Sequence, residues 1–357
     1  MNSVLELVKP NHDTVSCLNL IESKIEAFSE MSSSERAFLT DLVIKYNPSK
    51  ILEIGVSRGA SSCLLLNAIQ DNHNARLYSI DLNNNLYTDC SLKTGYLVEQ
   101  FPEFKKRWKL YTGNMAYKFL DEIGDGIDLC LIDTAHVLPG EILDILMVLP
   151  YLKDDAILIF HDTNLHTAQD EDKSWQKVRD YSYTNNLLMS SIYGKKFLQD
   201  NFDNSPHWCN VHFSNIGAIQ ICKETKERLF EIFNLLTIPW FYRPDKLNLI
   251  ELSSFIEKHY GTYWANYYNR VVCFQLDYVE NKEDLLIHKQ TDEPTPIDNE
   301  VVVLDESPKY QQKRNTLTSF IQSVFSVKNE YSSSNKHKVL SFLGIKIKFN
   351  VKNKEKE

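Results

Sequence analysis

The chain has 357 residues, 43% of them hydrophobic, which is enough for one large domain with additions or for two domains. Its 48 acidic and 39 basic residues leave a net charge of −9, which argues against a general nucleic-acid binder. No run approaches the ~18 apolar residues of a membrane span, and residues 1–13 lack a basic-then-apolar signal pattern, so a cytoplasmic location is expected. Seven scattered cysteines without a CxxC pair read as free thiols, with neither a disulfide framework nor a zinc ribbon.

Residues 15–46 read as helices. Apolar positions recur at helical spacing in VSCLNLIESKIEAF, and SSSERAFLTDLVIKY opens on serines placed to cap a helix, with Glu35 close behind. After the breaker NPSK, ILEIG (51–55) has strand character and runs through a glycine-containing turn into a helix. ARLYSID (75–81) is a second strand that ends on Asp81. A polar loop, a helix over 96–106, a strand over 108–113 and a helix over 116–124 follow. IDLCLID (127–133) and AILIFHD (156–162) are apolar runs without alternation, as expected of strands buried on both faces of a parallel sheet, and 137–152 between them reads as a crossover helix. Strands alternating with helices indicate a doubly wound, Rossmann-like α/β sheet.

Past Asp162 the pattern loosens into a polar stretch that could face a substrate, and 214–222 reads as a last strand. Amphipathic, aromatic-rich segments then predict a helical extension to about residue 280, whose Trp240, Tyr242, Tyr260, Tyr263, Trp264 and Tyr267 read as packing rather than as sugar-stacking surfaces. The expected division is a helical lead-in (1–46), a catalytic domain (47–222), the extension (223–280), a polar linker (281–331) and a basic amphipathic tail (332–357). In the tail, Ile345, Ile347, Phe349 and Val351 alternate with Lys346, Lys348, Asn350 and Lys352, which fits an amphipathic basic strand, peripheral contact with anionic lipid or a solubilising tail.

The strand, helix, strand unit over 126–164 brings Asp133, His136, His161 and Asp162 to one edge of the sheet, the edge at which open α/β sheets bind ligands. The earlier turn, Glu53-x-Gly55-x-Ser57-x-Gly59-x-Ser61, puts exposed amides where a carboxylate or phosphate would sit. A dinucleotide fingerprint is disfavoured, because Ser57 and Ala60 stand where it wants glycine.

Glu53-x-Gly55-x-x-x-Gly59, followed by an acid that ends the next strand, resembles the class I S-adenosylmethionine-dependent methyltransferases. The resemblance implies a mostly parallel seven-stranded sheet. It also implies that the turn holds the methionine part of the cofactor, that Asp81 holds the ribose hydroxyls and that Gly113 and Asn114 line the adenosine pocket. The expected cofactor residues are therefore Glu53, Gly55, Ser57, Gly59, Ser61, Asp81 and Asn114. Asp133-x-x-His136 with His161-Asp162 is similar to the metal-dependent branch that includes macrolide-sugar O-methyltransferases, over about residues 34–165. That likeness implies Asp133 and Asp162 as ligands of Mg²⁺ or another divalent cation and His136 as the base. His161 or Thr163 is left to complete the cation's shell. Two carboxylates and a nearby imidazole suit the chemistry, since an aliphatic hydroxyl barely ionises at neutral pH without a cation and a positioned base.

The expected function is O-methylation of a sugar or bacterial surface-glycan precursor, in polysaccharide biosynthesis. The glycan assignment rests on the family branch and on the VLSFLGIKIK segment, which is similar to tails on bacterial surface-polysaccharide enzymes. Two alternatives stand beside it. One is an Fe(II)-dependent hydroxylase-like enzyme of the same fold, since two histidines and a carboxylate can hold iron. The other is a non-catalytic glycan-assembly scaffold. The expected partners are a small-molecule or glycan acceptor, with no nucleic acid and no membrane span; homo-oligomerisation is left open.

Overall fold

The computed structural model describes residues 5–168, 176–199 and 214–280, together with strands between 325 and 350. In chain order, the first part contains β1 (Leu5–Val8), α1 (His12–Asn19), α2 (Glu22–Ile25), α3 (Ser33–Tyr46), β2 (Lys50–Ile54), α4 (Ala60–Ala68), β3 (Arg76–Asp81), β4 (Asn85–Leu86), β5 (Asp89–Lys93) and β6 (Trp108–Thr112). It continues with α5 (Leu120–Ile123), β7 (Ile127–Ile132), α6 (Gly140–Val148), β8 (Leu152–His161), α7 (Gln176–Tyr181), α8 (Thr184–Ser191), β9 (Lys195–Gln199) and β10 (Ile216–Gln220). The helices α9 (Lys223–Glu227), α10 (Phe230–Phe233), α11 (Lys246–Tyr260) and α12 (Thr262–Glu280) complete it.

Eight strands form one sheet in the order β1-β9-β10-β8-β7-β2-β3-β6. From β8 to β6 the neighbours are parallel, whereas β10 runs antiparallel to both β8 and β9. Seven of these strands make up the expected mostly parallel sheet. The eighth, β1, pairs parallel with β9. Connections lead from β2 outward through β3 and β6 on one side and through β7 and β8 on the other, which makes the β2/β7 boundary a topological switch point.

Alternate residues of the central strands enter different cores. Leu52, Ile54, Cys130, Ile132, Leu158 and Phe160 join a core with α6 and the helical extension. Ile51, Leu77, Leu129, Leu131, Ile157 and Ile159 join a second core with α3 and α4. Burial on both faces explains why these strands lack polar alternation. The extension packs through Trp240, Leu252, Phe255, Ile256 and Tyr268, while Tyr263 is exposed. Gln275, fully buried, ties it together by donating to the carbonyls of Leu236 and Ile238 and accepting from the Trp240 amide.

Several local expectations are corrected. The helix expected over 96–106 is two 3₁₀ turns, Tyr96–Gln100 and Lys105–Arg107. Pro102 lacks an amide and disfavours helical backbone at Phe101, which is at φ −120°, ψ 84°. The helix expected over 116–124 is a 3₁₀ turn followed by the single turn of α5. Around the crossover, α6 begins only after Pro139 and gives way at Leu149 to a 3₁₀ turn containing Pro150. Within the loop expected after Asp81, β4 and β5 form a small antiparallel pair. The short strands β1 and β9 were not foreseen.

The six described cysteines are free. No helix among the described residues is long and apolar enough to cross a membrane. Residues 303–357 belong to a second compact unit. Its β11 (Phe325–Ser332), β12 (Asn335–Phe342) and β13 (Ile345–Asn350) form an antiparallel sheet. Of the alternatives considered for the tail, strand structure is thus found over Ile345–Asn350, and Val351 and Lys352 lie outside the described residues. The expected linker lies outside them from 281 to 324.

Candidate active site at the carboxyl edge of the sheet

The chain leaves β2 through Gly55, at φ +89°, where a Cβ would lie 1.7 Å from the Asp133 carbonyl oxygen. Only glycine permits this approach. Ser57 is also left-handed, at φ 50°, and Gly59, at φ +92°, leads into α4. Asp81, at the end of β3, accepts from the amides of Val56 (2.9 Å), Ser57 (3.1 Å) and Asn83 (2.8 Å), so its carboxylate holds the turn in shape. Burial raises the Asp81 carboxyl above its ordinary range, against the lowering effect of those amides. The Ser57 hydroxyl is buried without a hydrogen-bond partner.

Glu53 and Ser61 meet each other inside the protein. The Glu53 carboxylate is fully buried and accepts from the hydroxyls of Ser61 (2.6 Å), Ser62 (2.5 Å) and Ser79 (2.6 Å), which braces the turn from beneath. Burial pushes its carboxyl up to about 7, although the three hydroxyls favour the charged form. Asn114 is exposed just beyond β6.

The second half of the site comes from β7 and β8. Asp133 and Asp162 follow these neighbouring parallel strands directly, and the Asp133 amide donates to the Ile54 carbonyl, joining this edge to the glycine turn. His136 (φ 59°) and Asp162 (φ 54°) both adopt left-handed backbone. Such conformations are uncommon outside glycine and cluster at functional sites. The His136 Nε2 lies 3.1 Å from Asp162 Oδ2 and 3.7 Å from Asp133 Oδ1. On the other side of the ring, Nδ1 is 3.5 Å from Glu141 Oε1, which also accepts from the His136 amide. One donor atom each from Asp133, His136 and Asp162 falls within 4.8 Å of the others.

His161 stands behind this group. It is 2% exposed, with Nδ1 at 3.1 Å from Asp133 Oδ1 and 3.5 Å from Asp162 Oδ2. Thr163 is turned away: its hydroxyl donates to the Ser214 carbonyl and its amide to that of Asn215.

Charge compensation dominates the electrostatics. Burial opposes protonation of His136, yet Asp162, Glu141 and Asp133 push its imidazole up to about 10. His161 is raised well above the ordinary imidazole range because Asp162 and Asp133 outweigh its burial. Burial also works against ionisation of Asp133, but the His161 and His136 charges hold its carboxyl below the usual range.

Three participants escaped sequence reasoning. Glu141, fully buried in the first turn of α6, reaches back to His136. Asn215, just before β10, donates to Asp162 Oδ1 at 2.5 Å and accepts from the Asn164 amide. Glu35, foreseen only as part of a helix cap, lies 3.7 Å from His161 Nε2. Only Glu141 had a usable signal, an acid opening the crossover helix five residues after His136.

Residues 52–163 match the family model described as a methyltransferase domain. A search of curated proteins gives no match. Among solved structures, the chain is similar to the O-methyltransferase TomG from Streptomyces achromogenes, in complex with SAM, at 13% identity and a TM-score of 0.41 over 60% of this chain and 92% of that one. A putative caffeoyl-CoA O-methyltransferase from Staphylococcus aureus is similar at 16% identity and a TM-score of 0.41, over 59% and 100% of the two chains. The O-methyltransferase from Bacillus cereus, in complex with SAH, gives 14% identity and a TM-score of 0.39 over 60% and 93%. The doubly wound sheet thus carries, over residues 52–163, a methyltransferase domain.

Proposed function

We propose that the protein transfers a methyl group from S-adenosylmethionine to a hydroxyl of a sugar or surface-glycan precursor, with a divalent cation held by Asp133 and Asp162. The observation that carries this proposal is the convergence of two carboxylates and an imidazole beside a glycine turn at the switch point of the sheet. The turn fits the cofactor. The Ser57 hydroxyl is unpartnered, and Asp81 retains acceptor capacity beyond its three amides for ribose hydroxyls. The donor set fits a hard cation such as Mg²⁺, since it offers two carboxylates. With one histidine in the group rather than two, it suits the two-histidine, one-carboxylate iron alternative less well.

When bound, a divalent cation supplies positive charge that offsets the two carboxylates and lowers the pKa of an acceptor hydroxyl. Asp162, Glu141 and Asp133 hold His136 protonated on their own, and positive charge that offsets Asp133 and Asp162 would free its Nε2 to accept that hydroxyl's proton, with Glu141 beside the opposite ring nitrogen. Asn215 occupies Asp162 Oδ1, which leaves Oδ2 directed toward the histidines. The glycine turn and Asp81 would hold S-adenosylmethionine, which would supply the methyl group to the acceptor oxygen and leave as S-adenosylhomocysteine. Assignment of the acceptor to a glycan rests on the family resemblance and the C-terminal segment.

A second role for His136, third cation ligand instead of base, is favoured by the closeness of its Nε2 to both carboxylates. His136→Ala separates the two: a base variant keeps its Mn²⁺ affinity while turnover is lost, and a ligand variant loses both. Calorimetry with S-adenosylmethionine tests the enzyme assignment, because absence of binding at millimolar cofactor would sink it. Mass spectrometry of surface glycans from cells with and without the protein, read for one missing methyl, tests the acceptor class.

A further inference from the structure

We infer that Glu35, on the N-terminal helix α3 and outside the matched methyltransferase segment, is a positioning residue that holds His161 and, through it, the Asp133 carboxylate of the site. The inference rests on the proposed cation site for its consequence, though not for its geometry.

Glu35 is 6% exposed and its carboxylate has two separate tasks. Its Oε2 accepts from the Ser32 amide at 2.5 Å, closing a capping box in which the Glu35 amide in turn donates to the Ser32 hydroxyl. Its Oε1 faces the His161 ring, 3.7 Å from Nε2. That nitrogen is buried without a hydrogen-bond partner, so an ion pair with Glu35 is the compensation it has. On the other side of the ring, Nδ1 meets Asp133 Oδ1 at 3.1 Å. An ionised carboxylate only accepts, so Nδ1 carries the proton in this bond. The result is a buried chain from carboxylate to imidazole to carboxylate, anchored at its outer end by the helix cap.

Asn185 holds the backbone at His161 by donating to its carbonyl at 2.7 Å, and the ring itself faces Glu35 on one side and Asp133, with Asp162 Oδ2 at 3.5 Å, on the other. A ligating carboxylate is oriented by the groups that hydrogen-bond to it, and loss of such a group weakens metal binding about 10- to 100-fold. Sequence spacing does not reveal this link, because Glu35 and His161 lie on opposite sides of the matched segment's first strand. The helical lead-in is therefore part of the site.

The test uses the full-length protein with Mn²⁺ as probe, comparing wild type, Glu35→Ala and Ser32→Ala. Each is read by Mn²⁺ affinity, by thermal midpoint and by the downfield NMR resonance of the His161 imidazole N–H. Glu35→Ala is expected to bind Mn²⁺ about tenfold or more weakly and to shift or lose the His161 resonance. Ser32→Ala, which damages the same cap, should lose stability while keeping both. If Glu35→Ala fails to fold, the isosteric Glu35→Gln is read in its place. Retention of either the Mn²⁺ affinity or the His161 resonance in the Glu35 variant overturns the inference. Should wild type bind no Mn²⁺, the cation proposal fails and the resonance alone decides: lost in the Glu35 variant and kept in Ser32→Ala, it supports the positioning role; kept in both, it overturns it.

Discussion

Replacing Glu53 by Gln tests whether a buried carboxyl beneath the cofactor turn makes stability depend on pH. The Glu53 carboxyl is fully buried and raised to about 7 from 4.5. In the unfolded chain it ionises near 4.5, whereas the folded protein keeps the proton until about pH 7, so between these values the folded state binds more protons. Its contribution to stability is then fully present below about pH 4.5 and is lost as pH rises through 7. Integrated between pH 4.5 and 8, a carboxyl that ionises near 4.5 unfolded and about 7 folded loses about 3 kcal/mol of stability. Gln has nearly the same shape, can use its side-chain oxygen as an acceptor for the serine hydroxyls and does not titrate. Urea denaturation of both proteins between pH 4.5 and 8 measures the effect by tryptophan fluorescence. Trp108 reports on the network directly, because its indole donates to the Ser79 hydroxyl that also donates to Glu53. The stability of wild type relative to Glu53→Gln should fall by about 3 kcal/mol as pH rises. A difference that stays constant from pH 4.5 to 8 would refute the reasoning.

Gly55→Ala should cost more than the ~1–2 kcal/mol of left-handed backbone, because its methyl would stand 1.7 Å from the Asp133 carbonyl oxygen; a melting curve and cofactor calorimetry on the variant check this. Mn²⁺ at about a hundred times its Kd should stabilise wild type by about 2.7 kcal/mol in thermal unfolding, and Asp162→Asn should abolish that gain. Prior EDTA treatment should remove any stabilisation carried over from purification, and an identical Mn²⁺ response in the variant would take Asp162 out of the cation site. Gln275→Ala should destabilise the helical extension by about 2–4 kcal/mol, because two carbonyls and the Trp240 amide lose their buried partner; hydrogen exchange across Lys246–Tyr260 is the readout.

Much of the central sheet was legible because its residues carry their own instructions. Unbroken apolar runs such as AILIF and LCLI can satisfy both faces only when covered on both sides, and serines with Glu35 close behind announce the start of α3. Strand ends marked by Asp81, Asp133 and Asp162 pointed to the ligand edge for the same reason. Local misreadings came where proline overrode periodicity, at Pro102, Pro139 and Pro150. The short strand β1 gives weak local signal, and its place in the sheet depends on β9, some 190 residues away along the chain.

What the sequence by itself determined is the alternating order of strands and helices, the glycine turn and the presence of two acids and two histidines at adjacent strand ends. Only the tertiary structure decided which of them stand together. His136 joins the two aspartates because its left-handed backbone turns the ring inward, while His161 faces back toward Glu35, and Thr163 is engaged by the loop before β10. Glu35, Glu141 and Asn215 come from three different parts of the chain, and apart from the five-residue step from His136 to Glu141 nothing in the spacing along the chain encodes their meeting. Their convergence follows from where the helices pack on the sheet, since a buried ionisable group takes its partner from whatever side chain the fold brings within reach.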